Sequence, residues 1–129
     1  IAFMRCYDTG VRGVIENITI DNIYAAKSDR RLVKFPNAVK YKKYGVINVE
    51  PHLNIKNVSI SNLHRTELVT AEPTLWFFEN STVNNLTLSN ITSENHTDAK
   101  SMPLAVFDAK VLNLRYDGLF EDGEIIELD

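Results

Sequence analysis

The chain has 129 residues, 44% of them hydrophobic and 24% charged, with a formal net charge of −3. This size and balance are typical of one soluble globular or solenoid domain, and the overall acidity disfavours nucleic acid as a partner. We expect no membrane span, because no apolar run approaches the roughly 20 residues that one requires. An internal disulfide is excluded because Cys6 is the only cysteine.

The first thirteen residues contain a strand followed by a turn. Residues 1–7 have a strand-like composition, and Asp8, Thr9, Gly10 and Gly13 are typical turn residues. Neither an initiator Met nor a signal peptide precedes this strand, and a solenoid requires a polar cap before its first coil. We therefore expect this chain to be an internal or C-terminal piece of a longer polypeptide.

One short phrase then occurs four times, beginning at Asn17, Asn57, Asn85 and Asn113. The starts are separated by 40, 28 and 28 residues, which is the scale of a structural repeat. The copies place apolar side chains in four matching columns. These columns are Ile15, Ile55, Val83 and Val111; Ile18, Val58, Leu86 and Leu114; Ile20, Ile60, Leu88 and Tyr116; and Ile23, Leu63, Ile91 and Leu119.

The spacing within each copy predicts a strand, a bend and another strand. Ile18 and Ile20 alternate as in a strand, but the next apolar residue, Ile23, is three positions further on. The residue at this bend is Asn22, Asn62, Asn90 and then Gly118. Asn and Gly accept a left-handed backbone most easily. Each copy therefore predicts one bend, with Thr19 and Asp21 on the outer side of the strand.

Such units, stacked about 4.8 Å apart, bury their apolar columns in one continuous core. The sequence therefore predicts an all-β fold, a right-handed parallel β-helix of about four to five coils, whose hand follows the usual rule for parallel crossovers. The four columns indicate a single domain that spans residues 1–129. An antiparallel β-sandwich is the alternative, although it leaves the four columns unexplained.

Residues 26–44 form the longest interval between copies and the most basic part of the chain. Seven of the fourteen basic residues lie here, namely Lys27, Arg30, Arg31, Lys34, Lys40, Lys42 and Lys43, and only Asp29 opposes them. Pro36 and the missing apolar columns favour an inserted loop over an additional coil. This segment is either a solvated loop or an anion-binding loop. Clustered like charge destabilises a free loop, and a bound anion would relieve that repulsion.

From residue 45 the pattern becomes regular. Leading strands at 45–50, 75–79 and 103–108 precede the later copies, and residues 64–74 and 92–102 read as polar connections. The tail, residues 117–129, has six acidic residues and no basic one, and its EIIEL segment predicts a last strand. These charges disfavour edge-to-edge association.

Each leading strand ends in a carboxylate, at Asp8, Glu50, Glu79 and Asp108. In stacked coils, neighbouring carboxylates would lie about 5 Å apart and alternate ones about 10 Å apart, separations that are similar to those of glycoside hydrolases. Repulsion within such a column would raise the pKa of one of the carboxyl groups or require a cation such as calcium. The turns after these residues differ in length, however, so solvated turn residues are the alternative, and we assign no catalytic residue here.

Three aromatic residues, Trp76, Phe77 and Phe78, share one leading strand. Because strand side chains alternate between faces, either Phe77 or the Trp76/Phe78 pair is exposed. Exposed aromatic residues would stack on sugar rings, whereas inward ones would stack between coils, and the sequence leaves both open. The three histidines lack the spacing of a metal site, and we expect neither a metal nor a cofactor.

The segment GVRGVIENITIDNIY, residues 10–24, resembles the polygalacturonase-type glycoside hydrolases of the pectin-lyase-like superfamily, which are right-handed parallel β-helices. In that family a glycine-spaced segment leads into an Asn-Ile strand. Gly10, Gly13, Val14, Asn17 and Ile18 match this segment. The resemblance extends over about 25 residues and otherwise consists of the general pattern of coils.

The resemblance implies carbohydrate-binding coils that lack the family's catalytic residues. The positions of the family's Arg-x-Lys motif hold Met4 and Cys6, and Arg5 lies between them on the opposite strand face. The family's catalytic aspartates precede that motif, and no Asn-Thr-Asp, Asp-Asp or Gly-His-Gly occurs here. Glycoside hydrolase activity would therefore require a further N-terminal portion.

We therefore expect the C-terminal, non-catalytic coils of a secreted or surface carbohydrate-active protein that contacts an acidic polysaccharide. The predicted binding residues are Tyr7, Arg30, Arg31, Lys40, Tyr41, Lys42, Lys43, Glu50, Trp76, Phe78, Glu79 and Asp108. The alternative is a structural or adhesive β-helix segment, such as part of a tail spike, without catalysis. In either case, further coils of a longer chain or a homo-oligomer would cover the open ends.

Overall fold

A computed structural model describes residues 2–3, 13–26, 46–49, 51–68, 73–95 and 104–128 as an all-β chain. Its strands are β1 (Ala2–Phe3), β2 (Gly13–Ala26), β3 (Ile47–Val49), β4 (Leu53–Leu68), β5 (Leu75–Phe77), β6 (Thr82–Asn95), β7 (Ala105–Phe107), β8 (Lys110–Glu121) and β9 (Glu124–Ile125). None of these residues forms a helix, and so none forms one that is long and apolar enough to cross a membrane.

The chain passes alternately through two sheets. The short strands pair in the order β1-β3-β5-β7, and the long strands pair in the order β2-β4-β6-β8-β9. Every pairing between the described strands is parallel except the last, in which β9 turns back antiparallel to β8. The antiparallel sandwich considered from the sequence is therefore wrong, and the all-β prediction is confirmed.

The four predicted columns are confirmed by the strand register. Ile20 pairs with Ile60, Ile60 with Leu88, and Leu88 with Tyr116, and the other three columns are aligned in the same way. The column side chains of the two central strands, β4 and β6, are buried, with Ile60 and Leu88 both 0% exposed. Burial of one such side chain contributes about 1.5–3 kcal/mol. These columns are therefore the main source of stability in the described fold.

The predicted bends are confirmed, but each copy has two of them rather than one. Asn22, Asn62, Asn90 and Gly118 have φ values between 50° and 65°, in the left-handed region. The residues that begin the copies, Asn17, Asn57, Asn85 and Asn113, have φ values between 57° and 61°. These two bends therefore divide each long strand into three segments. Left-handed backbone is costly for most L-residues, and Asn tolerates it better than most.

The polar connections expected at 64–74 and 92–102 begin later than predicted, because β4 continues to Leu68 and β6 to Asn95. The inward column here contains Arg65 and Ser93, which are register partners and are 1% and 3% exposed. Arg65 Nη1 donates to Thr74 Oγ1 at 3.4 Å, and the Thr74 and Ser93 hydroxyls are 3.0 Å apart. Hydrogen-bonded polar groups replace the apolar signal at this point.

Candidate functional site

The outward side of the short-strand sheet carries an aromatic surface. Phe77 is 1% exposed and stacks on Phe107 of the next strand, with the ring centroids 5.0 Å apart. Trp76 and Phe78, on the opposite parity, are half-buried on the outer side. The sequence left open which of these aromatic residues face outward. The structure has Phe77 inside and the Trp76/Phe78 pair outside.

Trp76, Phe78 and Asp108 form one group, called here the aromatic face. The rings of Trp76 and Phe78 stack with centroids 4.6 Å apart and planes inclined by 10°. Trp76 Nε1 donates a hydrogen bond to Asp108 Oδ2 at 3.3 Å. This contact and the stacking hold the indole in one orientation. Asp108 is exposed, so its remaining lone pairs can accept hydrogen bonds from a ligand.

Glu79 adds a second exposed carboxylate directly after Phe78. The aromatic face therefore combines flat apolar rings with negatively charged hydrogen-bond acceptors. Such a surface suits a ligand that has both C–H faces and hydroxyl donors. The aromatic rings would contact the C–H faces, and the neighbouring carboxylates would accept hydrogen bonds from the hydroxyls.

The other predicted site residues lie outside the described parts of the chain. They are Tyr7, Arg30, Arg31, Lys40, Tyr41, Lys42, Lys43 and Glu50. Asp8 also lies outside, so the predicted spacing of the carboxylate column stays a prediction. Nowhere in the described ranges do three or more His, Cys, Asp or Glu side chains lie together as a metal site would require.

Two ladders of side-chain amides run across the outer side of the long-strand sheet. In the first, Asn85 Nδ2 donates to Asn57 Oδ1 at 2.9 Å, and Asn57 Nδ2 donates to Asn17 Oδ1 at 3.1 Å. In the second, Asn90 donates to Asn62 at 2.7 Å and Asn62 donates to Asp21 at 2.9 Å. All these amides donate towards β2, so both ladders have the same polarity.

Asp21 receives the end of the second ladder. Its Oδ1 accepts from Asn62 Nδ2 and from Ser61 Oγ, both at 2.9 Å. The Asn62 amide, followed by the Ser61 hydroxyl, holds the pKa of the Asp21 carboxyl below its ordinary value. Hydrogen bonds that favour the charged form have this effect.

The first ladder is interrupted between β6 and β8. Asn113 Nδ2 donates to Asn84 Oδ1 at 3.0 Å rather than to Asn85. A polar cleft of about 290 Å³ lies at this point, lined by Asn85, Thr87, Asn113 and Arg115. These residues were not predicted as a site. Arg115 follows Thr19, Ser59 and Thr87 in one outward column, and this change from hydroxyl to guanidinium was the signal in the sequence.

Comparisons of the chain with protein-family models, with curated proteins and with solved structures find no match.

Proposed function

We propose that this chain is a segment of a right-handed parallel β-helix of the pectin-lyase-like kind, whose outward faces contact a polysaccharide. The alternation of the chain between two sheets, in which successive copies pair in parallel, supports this fold, as does the 28-residue offset in the register of the later copies. The proposed setting is a secreted or surface carbohydrate-active protein. The resemblance of residues 10–24 to polygalacturonase-type enzymes supports that setting.

The aromatic face is the observation that carries the proposal. Trp76 and Phe78 stack face to face and lie half-buried on the outer side, and Trp76 is oriented by its hydrogen bond to Asp108. Sugar rings have an apolar C–H face and a hydroxyl edge, which match an aromatic plane bordered by a carboxylate. A pre-oriented side chain also loses less conformational entropy on binding.

The charges divide the proposed surface into two parts. Glu79 and Asp108 are exposed carboxylates that would accept hydrogen bonds from sugar hydroxyls and repel an acidic group. Acidic sugar units would instead contact the basic segment, in which Arg30, Arg31, Lys40, Tyr41, Lys42 and Lys43 are the proposed binding residues. Tyr7 and Glu50 complete the proposed surface on the leading strands.

We propose a binding role rather than a catalytic role for these coils. Met4 and Cys6 occupy the positions of the Arg-x-Lys motif, and neither side chain can bind a sugar carboxylate as Arg and Lys do. Glycoside hydrolysis in the whole protein would require a further portion that supplies the acid and the nucleophile.

Tryptophan fluorescence provides a direct test, because Trp76 is the only tryptophan of the chain. Neutral β-linked oligosaccharides and trigalacturonate are titrated into the protein, and affinity is measured in parallel by calorimetry. Binding at the aromatic face shifts the Trp76 emission. Trp76→Ala is expected to weaken binding by about tenfold or more, since aromatic anchors dominate such sites.

Tyr24→Ala is the matched control, because Tyr24 is an aromatic side chain that is 71% exposed on the other sheet. It is expected to leave the affinity within about twofold, as for a residue outside the contact. Binding without a change in Trp76 emission, together with equal affinities for both variants, would remove the aromatic face from the proposal.

A structural or adhesive segment is the second candidate, and the edge of β2 favours it. Ile15, Ile18, Ile20 and Ile23 are only half-buried, whereas their partners in β4 are buried. A further coil or a second subunit would cover these side chains. Sedimentation equilibrium distinguishes the two: a stable trimer without sugar binding supports the structural candidate, and a monomer that binds sugar supports the first proposal.

A further inference from the structure

We infer that the polar cleft binds the carboxylate of a single uronic acid unit, an inference that rests on the polysaccharide-binding function proposed above. The cleft comprises Asn85, Thr87, Asn113 and Arg115. Its volume of about 290 Å³ is just below the roughly 300–1,000 Å³ of small-molecule sites. It therefore suits one sugar-sized group, and its polar lining suits a polar ligand.

Arg115 supplies the positive charge of the cleft. Thr87 and Arg115 are register partners on adjacent parallel strands, whose backbones lie about 4.8 Å apart, and both side chains are exposed on the outer side. Arg115 is exposed and, within the described parts of the chain, forms no ion pair. A guanidinium binds a carboxylate with two parallel hydrogen bonds, which also determine its orientation.

Asn85 supplies an acceptor because the amide ladder is interrupted beside it. Asn85 Nδ2 is engaged with Asn57 Oδ1, and Asn113 Nδ2 is engaged with Asn84 Oδ1. No amide of the described next strand therefore donates to Asn85 Oδ1. This oxygen and the Thr87 hydroxyl can receive hydrogen bonds from sugar hydroxyls, while Arg115 binds the acid group.

Asp117 is the nearest acidic residue in the outward pattern of β8, two positions after Arg115. It is exposed and pairs in register with Ser89, on the far side of the cleft residue Thr87 from Asn85. The acid thus borders one side of the cleft without pairing to Arg115. A ligand with one carboxylate and several hydroxyls fits this arrangement better than a polyanion such as a phosphate ester.

The test compares trigalacturonate with its methyl ester, which has the same shape without the charge. Wild type is expected to bind the acid about tenfold or more tightly than the ester, because charge-assisted hydrogen bonds are the stronger ones. Arg115→Gln is expected to lower this preference by about fivefold or more, and the basic segment proposed above would account for the remainder. Arg115→Lys, which keeps the charge but not the planar fork, is expected to restore only part of it.

Lys110→Gln is the matched control, because Lys110 is also exposed on β8 and its loss also removes one positive charge. We expect it to preserve the preference within about twofold, as for a charge outside the contact. Asn85→Gly retains the left-handed backbone and removes the amide acceptor. Its expected effect is a several-fold loss of affinity for both sugars at an unchanged preference.

Three results would overturn the inference: no trigalacturonate binding by wild type, equal binding of acid and ester, or equal losses in Arg115→Gln and Lys110→Gln. The neutral oligosaccharide titration separates this failure from that of the proposed function. Binding of neutral sugar that depends on Trp76, without an acid preference that depends on Arg115, would leave the polysaccharide function standing and remove the cleft.

Discussion

Asn90 donates from Nδ2 to Asn62 Oδ1 at 2.7 Å while both residues adopt left-handed backbone, with φ values of 50° and 52°. The same side chain therefore permits the bend and links one strand to the next. Gly118, at the equivalent position of β8, permits the bend at φ 65° but has no amide to extend the ladder. Of the residues that tolerate this backbone, Asn also brings an amide, which is a donor and an acceptor at once.

The cost of left-handed backbone at Asn90 can be separated from the loss of its amide. Asn90→Ala and Asn90→Gly both remove the hydrogen bond to Asn62, but only Ala brings a Cβ that opposes a positive φ. We expect Asn90→Ala to be less stable than Asn90→Gly by about 1 kcal/mol in urea unfolding. Equal stabilities, or a more stable Ala variant, would show that the bend imposes no strain.

The lowered pKa of the Asp21 carboxyl predicts that the free energy of unfolding depends on pH in the acidic range. Its pKa is lowered in the folded state, first by Asn62 and then by Ser61, so the charged form is favoured by folding. This contribution is present above the unfolded pKa and is lost as the pH falls through the folded pKa. The stability advantage of wild type over Asp21→Asn should therefore shrink as the pH is lowered from about 5 towards 2.

Urea unfolding at several pH values measures this difference. The control is Asn62→Gly, which keeps the left-handed bend but removes the main donor to Asp21. In that background the pH dependence of the Asp21→Asn effect should be smaller. An advantage of wild type that grows as the pH falls would contradict the sign of the linkage.

The stacked columns predict that truncating two leucines of neighbouring strands changes the free energy of unfolding by very different amounts. Leu88 is 0% exposed in the core, whereas Leu112 is 45% exposed on the outer side. Leu88→Ala should lower the free energy of unfolding by about 2–5 kcal/mol, because it removes buried contacts and leaves a cavity. Leu112→Ala should change it by less than about 0.5 kcal/mol. Similar losses for both would contradict the inward orientation of Leu88.

The buried polar group around Thr74 predicts a specific requirement for its hydroxyl. Thr74 Oγ1 accepts from Arg65 and shares a hydrogen bond with Ser93. Thr74→Val keeps the shape and removes these partners, so thermal or urea unfolding should show a loss of about 1–3 kcal/mol. Thr74→Ser keeps the hydroxyl and is expected to lose less. If Val proved as stable as Ser, these hydrogen bonds would contribute nothing.

Much of the described fold could be predicted because its core obeys a simple spacing rule. Ile18 and Ile20 alternate, and the three-residue step to Ile23 requires a bend at Asn22. The step from Ile15 to Ile18 is also three residues, so the same rule applied there predicts the bend at Asn17 that was missed. The continuation of β4 through Arg65 to Leu68 was missed, because a buried Arg reads as a solvent residue.

The site could be predicted only in part, since its residues differ in the signals that they carry. Trp76 and Phe78 were identified by composition, but all three residues of that stretch are aromatic, so only the stacking of Phe77 on Phe107 determines which side faces out. Arg115 resembles any exposed residue of a strand. The cleft beside it depends on Asn113 donating to Asn84, a contact that spacing alone does not predict.

Methyl–methyl NOE spectroscopy tests the parallel stacking of the copies most directly. In the structure Ile55 is the register partner of Val83 and Leu63 is that of Ile91, and such strands lie about 4.8 Å apart. Strong cross-peaks are therefore expected between Ile55 and Val83 and between Leu63 and Ile91. Cross-peaks from Ile55 to Ile91 and from Leu63 to Val83 in their place would mean antiparallel strands and would contradict the stacked core on which both proposed surfaces depend.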